Sequence, residues 1–465
     1  MATRLINPSA RPSLKSLPLE IIDMILSKVC GEITNLAVIS PSWQLAVERM
    51  LFATLSVNHD ELPVLEFVLL SSPHRFRLIS QLSYVLKMEQ KPSPSELWTQ
   101  NIHTLHEIRR LFTLLNRLSD LEPRQGAADL RLLININPSS PEWRRRPLKD
   151  RRLKGPRRAF PAYDDLPVIK VPSLAWLRLA CYRHSHYHSN LDARLTALLL
   201  ASVPSLQSAT FDICEVSHWR DAKDHGRILT SAASKLNSLN LENLQDLTIH
   251  FIADGFGSSD PAKHCWTSHP NYIGPAQSIP FNLALRKLAT RLQRLQLLGG
   301  FFVAPDFFCP NENSAESDWI IKNLRIQAHP ACTHATTMSN NLYRPAWGGG
   351  WGGYKLVRDQ EKHGRLAVAI LRAMMRMPEL ERLVVDLAVR VDKEKASTSG
   401  DPEAHFVFER SKWNTGENRG VIGGFYRKLI DFDWQWKVPG QAHWYWSEFR
   451  ERMNREAEDD VRTVT

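Results

Sequence analysis

The sequence predicts an α/β protein in which a small N-terminal three-helix module precedes an irregular solenoid of helices and short parallel strands. Three observations predict it. Residues 17–57 carry apolar side chains at helical spacing in three short runs. From residue 166 a loose L-x-x-L-x-L phrase recurs six times. Helical patterns stand before several of these copies, and alternation of helix with short strand is the mark of βα units on a parallel sheet.

Within 17–57, Pro18 suits a first helical position, where its missing N–H costs nothing. Glu20 places negative charge in the first turn, where the helix dipole favours it. Ile21, Ile25 and Val29 recur every four residues beside Ile22 and Leu26, which makes one helical face aliphatic. Gly31 is a C-terminal stop. Leu36, Val38 and Ile39 lead into Ser40-Pro41-Ser42-Trp43, and a third helix carries Leu45, Val47, Met50 and Leu51, ending near Leu55 and Val57. A unit of this size buries little of its own surface, so leftover apolar side chains call for a cover.

The order LP-x-E-I…IL…L-x-V-x-S…W…LF-x-x-L, read at Leu17, Pro18, Glu20, Ile21, Ile25, Leu26, Leu36, Val38, Ser40, Trp43, Leu51 and Phe52, resembles the F-box motif. The resemblance covers about a tenth of the chain. It implies docking onto a Skp-family adaptor and, through it, a cullin scaffold in an SCF ubiquitin ligase. The implied adaptor-binding residues are Leu17, Pro18, Glu20, Ile21, Ile25, Leu26, Leu36, Val38 and Trp43. The plainer reading of the same residues is a helical hairpin that packs on its own protein.

The chain has 465 residues, 43% of them hydrophobic and 23% charged, the balance of an ordinary folded protein. No run of 18 apolar residues exists, so no transmembrane helix is expected. Residues 1–13 read as a flexible leader without an apolar signal core. Cysteines 30, 181, 214, 265, 309 and 332 lie far apart with no CxxC, which fits a reduced protein of the cytoplasm and/or nucleus. The net charge of +10 is local: residues 143–158 hold nine Lys/Arg and one Asp, leaving +2 for all the rest. Such a block is an import signal, a charged insertion or an interaction arm. Nucleic-acid binding needs stacking aromatics or a readout element beside it, and only Trp143 and Phe160 flank it.

After the N-terminal module, 58–138 read as linker helices and the first repeat units. QLSYVLKM (81–88) fits a strand, and a helix carries Ile102, Leu105, Ile108, Leu111, Phe112, Leu115 and Leu118. Leu130, Leu132, Ile134 and Ile136 alternate strictly, as in a half-buried strand stopped by Pro138. Residues 139–165 form the basic linker or insertion. Over 166–390 the phrase reads Leu174-Leu177-Leu179, Leu206-Ala209-Phe211, Leu244-Leu247-Ile249, Leu292-Leu295-Leu297, Ile321-Leu324-Ile326 and Leu380-Leu383-Val385. Pro172, Pro204 and Pro378 punctuate three of the entries. The phrase resembles that of leucine-rich repeats, in which each unit buries its face only against its neighbours. Its spacing is irregular, with insertions near 214–235, 255–280 and 328–362, and a non-repeat α/β domain fits the same pattern. Residues 391–465 comprise a polar linker (392–403), an edge strand at HFVFE (405–409), an aromatic-rich cap and a charged helix.

Motifs that carry chemistry are missing from the sequence. Gly348–Gly353 spells G-x-G-x-x-G, but Arg344-Pro345-Ala346-Trp347 before it does not read as a strand and no helix start follows, so a flexible loop is expected. His184, His186 and His188 alternate, yet only scattered partners (Cys181, His264, Cys265, His269) are available for a zinc site, and a polar loop is expected. The expectation is therefore a non-enzyme with no catalytic residue, metal or cofactor. By resemblance it is a substrate receptor of an SCF ligase, gripping a target protein through the repeats; the alternative is a non-catalytic repeat scaffold with no ubiquitin role.

Overall fold

The computed structural model describes residue 14 and residues 17–28, 33–88, 94–123, 130–138, 167–181, 193–215, 222–253, 275–299, 305–308, 319–328, 343–347, 354–358, 368–387, 404–409, 447–448 and 451. Helix α1 spans Leu19–Leu26, a 3-10 helix spans Ile33–Val38, and α2 spans Pro41–Ala53. Then strands and helices alternate: β1 (Thr54–Asn58), α3 (Leu62–Ser71), β2 (Gln81–Met88), α4 (Pro94–Leu121), β3 (Leu130–Pro138), β4 (Leu174–Cys181), α5 (Ala193–Ser202), β5 (Ser208–Glu215), α6 (Ala222–Ser238), β6 (Asp246–Ala253), α7 (Pro275–Ala289), β7 (Arg294–Gly299), a one-turn α8 (Pro305–Phe308) and β8 (Asn323–Ala328). A hairpin of β9 (Tyr343–Trp347) and β10 (Tyr354–Arg358) comes next, then helical residues 368–374 (α9), β11 (Arg382–Leu387) and β12 (Ala404–Glu409).

All strands but the hairpin lie in one open sheet, in the order β1-β2-β3-β4-β5-β6-β7-β8-β11-β12. Nine of them, β1 to β8 and β11, run parallel, and β12 adds antiparallel at one end. Chain order equals spatial order, with no switch point where the order reverses.

Register explains why. Leu55, Leu82, Leu132, Leu177, Ala209, Leu247, Leu295, Leu324 and Leu383 stand side by side across the nine strands. A second row, Val57, Tyr84, Ile134, Leu179, Phe211, Ile249, Leu297, Ile326 and Val385, lies two residues further along each strand. All but Leu55 are buried, and Leu55 packs against the same core cluster. Side chains alternate along a strand, so these rows define the face that the helices cover. All six L-x-x-L-x-L copies supply their second and third positions to the rows, and their first positions are buried too.

The corner before five of the strands follows one pattern. The amides of Ile79, Leu206, Leu244, Leu292 and Leu380 donate three residues back to the carbonyls of Phe76, Val203, Leu241, Ala289 and Met377, at 3.1–3.3 Å. The Gln207 carbonyl then accepts from both Gln245 N and Asp246 N, Gln245 from Gln293 and Arg294, Gln293 from Lys322 and Asn323, and Lys322 from Glu381 and Arg382. Pro172, Pro204 and Pro378 each follow a buried Val171, Val203 or Met377 at this corner.

Several expectations change. Pro18 is not the first helical residue of α1 but its cap, its carbonyl accepting from Ile21 N and Ile22 N. On α1 the fully buried pair is Ile22 and Leu26 rather than Ile21 and Ile25, because the helix turns that edge toward Trp43, Ala46 and Val47. The third predicted helix ends at Ala53, and Thr54–Asn58 is already a sheet strand. The middle helix is a 3-10 helix with no fully buried residue. Arg344–Trp347, read as not a strand, belongs to β9, which pairs antiparallel with β10. A strand rather than a helix follows the glycine run, so no helix N-terminus is there to receive a phosphate. Val29, Gly31, the block 143–158, His184, His186, His188, the 392–403 linker and the aromatic C-terminal stretch lie outside the described residues. Among the described residues no helix is long and apolar enough to cross a membrane.

A polar contact links the second buried row to α4. The Tyr84 hydroxyl, in the second buried row, donates to Glu107 Oε2 of α4 at 3.2 Å, and both residues are buried. Burial first and the Glu107 charge second push the Tyr84 phenol above its ordinary pKa, so it stays a donor at any working pH. Tyr84→Phe deprives a buried carboxylate of this donor. The expected cost is roughly 1–3 kcal/mol in denaturant unfolding, and an unchanged midpoint would contradict this role.

Candidate functional site

Two surfaces stand out from the residues upward. The first is the N-terminal helical unit. Ser40 caps α2 through its hydroxyl, which accepts from Trp43 N, and Pro41 takes the first helical position, where a missing N–H is harmless. This starts α2 so that Trp43, Ala46 and Val47 face Ile22 and Leu26, a five-residue core separate from the main one. Trp43 is 2% exposed, and its indole N–H donates to the Leu14 carbonyl at 2.7 Å, drawing the chain before α1 over this small core.

The residues singled out from sequence divide between this core and solvent. Leu26 and Trp43 are buried in it; Leu17, Ile25 and Leu36 are half-buried; Pro18, Glu20, Ile21 and Val38 are exposed. Ile21 is 38% exposed, Met24 56% and Val38 88%. Ile21 and Met24 are one turn apart, so they share a face of α1. Met24 was not singled out from sequence, although its i+3 relation to Ile21 was there to read.

The unit is joined to the sheet without a linker, since α2 passes directly into β1. Phe52 and Leu55, the last two letters of the F-box-like order, pack on the main core instead. Glu48 secures the joint. Its carboxylate accepts from Arg75 Nη2 at 2.8 Å and Gln44 Nε2 at 3.4 Å, with His74 Nε2 at 3.5 Å, while the Arg75 guanidinium lies 5.3 Å from the centre of the Phe52 ring. Burial pushes the Glu48 carboxyl upward, but the bonds from Arg75 and Gln44, the Arg75 charge and His74 outweigh that push and hold it below the ordinary 4.5.

The second surface is the sheet face opposite the helices. Its side chains alternate with the buried rows and are mostly half-buried or exposed. A parallel sheet open on one side is unusual, because crossover helices commonly cover both faces. The middle row of this face reads Ser56, Ser83, Leu133, Arg178, Thr210, Thr248, Gln296, Arg325 and Val384. It is polar at every position but Leu133 and Val384. Among the described residues no group of three His, Cys, Asp or Glu is placed to hold a metal ion.

Compared with protein-family models the chain matches none, and compared with curated proteins it matches none.

The joint at Glu48 makes stability depend on acid in a defined direction. A carboxyl whose folded pKa lies below its unfolded value favours the folded state above 4.5, and that contribution fades as pH falls through the lowered value. In thermal unfolding across pH, wild type is expected to exceed Glu48→Gln at neutral pH, with the gap narrowing below pH 4.5. A gap independent of pH would show that the charge of Glu48 does not hold the joint.

Proposed function

We propose that this chain is a non-catalytic substrate-recognition subunit of an SCF-type ubiquitin ligase, with an F-box module at 14–57 and a leucine-rich-repeat-like solenoid behind it. The module binds a Skp-family adaptor, and through it a cullin scaffold. The solenoid's open sheet face holds a target protein. Such a receptor needs no catalytic residue, metal or cofactor. It raises the local concentration of a target beside a recruited conjugating enzyme, turning an encounter between free partners into one within a single assembly.

The observation that carries the reading is the N-terminal unit's divided apolar surface. Five residues form its core, and Ile21, Met24 and Val38 are left uncovered beside it. Ile21 and Met24 share a face of α1, and exposed apolar side chains on so small a unit fit a site where another protein sits. The chain's own later segments do not bury Ile21 or Val38, and Trp43 is buried by its own unit rather than by the sheet. Chain-order pairing of nine strands, each adding the same two rows of apolar residues, supports the solenoid half.

A second reading, a repeat scaffold whose N-terminal helices only cap the sheet, has one observation in its favour: α2 runs unbroken into the edge strand β1 and is pinned there by Glu48 and Arg75.

Co-purification with a Skp-family adaptor separates the two. Wild type is expected to capture the adaptor, and Ile21→Asp with Val38→Asp to weaken capture at least about tenfold without loss of folding, because both side chains are exposed. No capture by wild type, or capture indifferent to both substitutions, contradicts the receptor reading and leaves the cap.

A further inference from the structure

Four arginines project from the open sheet face with no ion pair among the described residues. Arg131 stands opposite Trp176, with Arg178 two residues further along the same strand, so two guanidiniums flank one indole on β3 and β4. Arg294 stands opposite Asn323, with Arg325 two residues beyond, which groups two more on β7 and β8. Arg382 joins this second group from β11, in register with Asn323. Between the groups lie Ser208, Thr210 and Asp212 on β5 and Asp246, Thr248 and His250 on β6. The five arginines are exposed, Asp246 is half-buried, Asp212 is buried, and Asp212 and Arg382 each have an interaction of their own. The face is therefore positive toward both ends, with the half-buried Asp246 between them.

From this pattern we infer that the open face binds an extended acidic polypeptide segment lying across the strands. Its acidic side chains meet Arg131 and Arg178 at one end and Arg294 and Arg325 at the other, and a basic or small residue sits over Asp246. The physical reasons are three. Guanidinium forks bind carboxylates through two parallel bonds, and Arg131, Arg178, Arg294 and Arg325, without an ion pair among the described residues, present four such forks to one chain. Trp176, half-buried between two of them, supplies apolar contact area, and Trp with Arg is the pairing most enriched at binding hot spots. Asp246 between the two arginine groups argues against a nucleic-acid strand, whose unbroken row of phosphates would pass over it.

Strand spacing sets the ligand's own spacing. With neighbouring strands about 4.8 Å apart, β4 and β7 are separated by roughly 14 Å and β4 and β8 by roughly 19 Å. An extended chain advancing about 3.3 Å per residue spans that in roughly four to six residues. The ligand carries two acidic groups about five residues apart, with Lys, Arg or Gly midway. The inference deepens the target-binding half of the proposed function and rests on that half alone; adaptor capture tests the other half separately.

Fluorescence anisotropy of labelled 13-residue peptides on the full chain tests it. The probes are a peptide with two Glu pairs five residues apart around a central Lys, one of the same composition with the acids contiguous, one with Gln for Glu, and a single-stranded DNA of matched length. The patterned peptide is expected to bind tightest and to weaken as salt rises. Arg178→Gln and Arg325→Gln are each expected to weaken it about tenfold, with unchanged thermal unfolding and unchanged adaptor capture, since both side chains are exposed. Equal binding of the Gln peptide, indifference to both substitutions, or DNA binding tighter than any peptide overturns the inference.

Discussion

Packing between two rows of apolar side chains on one face of the sheet is the contact on which the remaining structure depends. Each strand adds one side chain to each row, and each buried Leu, Ile, Val or Phe contributes on the order of 1.5–3 kcal/mol when withdrawn from water. A slip of one residue in any strand would turn its apolar pair to the open face and place polar side chains against the helices. Register is thereby fixed at every strand independently, and the chain can insert loops of any length between strands without disturbing it. The intervals of 32, 38, 48, 29 and 59 residues between successive phrases from Leu174 to Leu380 show how far that tolerance reaches.

Much of this was legible. The second and third positions of all six phrases from Leu174 to Val385 fall on parallel strands, and the alternation at 130–136 and the strand at 81–88 are as read. Besides the strand at Tyr343–Trp347, two early copies of the phrase were missed. Phe52-Leu55-Val57 and Ile79-Leu82-Tyr84 have the spacing of the later copies, but the first overlaps the end of the F-box-like order and the second carries a tyrosine where leucine is expected. Tyr84 is admitted to the buried row because Glu107, from a helix 23 residues away, accepts a hydrogen bond from its hydroxyl. A partner that distant leaves no trace in a local pattern. On α1, periodicity marks a broad apolar face but cannot say which edge meets α2, since Ile21, Ile22, Ile25 and Leu26 all satisfy it. The charge pattern of the open face was equally hidden. It appears only when residues up to about two hundred and fifty positions apart, from Arg131 to Arg382, are set in register.

The two ends of the functional account sit on unlike foundations. The sheet's open face is displayed by an interior of more than sixty buried apolar residues, so its arginines hold fixed relative positions. The N-terminal unit rests on five. A core that small resists opening weakly, and its uncovered Ile21, Met24 and Val38 are what a partner would need in order to stabilise it by binding. Joining this unit to β1 without a linker fixes its direction relative to the sheet. A rigid connection would suit a receptor that must hold one protein at a set distance from another, and it would serve a cap equally well.

Amide hydrogen exchange on the full chain, resolved by segment, tests the division most directly. The account predicts strong, continuous protection across β2 to β8, and much weaker protection over α1 and the 3-10 helix Ile33–Val38, which open without disturbing the sheet. If α1 were protected as strongly as the central strands, its core would not be separate from theirs, and the case for an uncovered docking unit would fail.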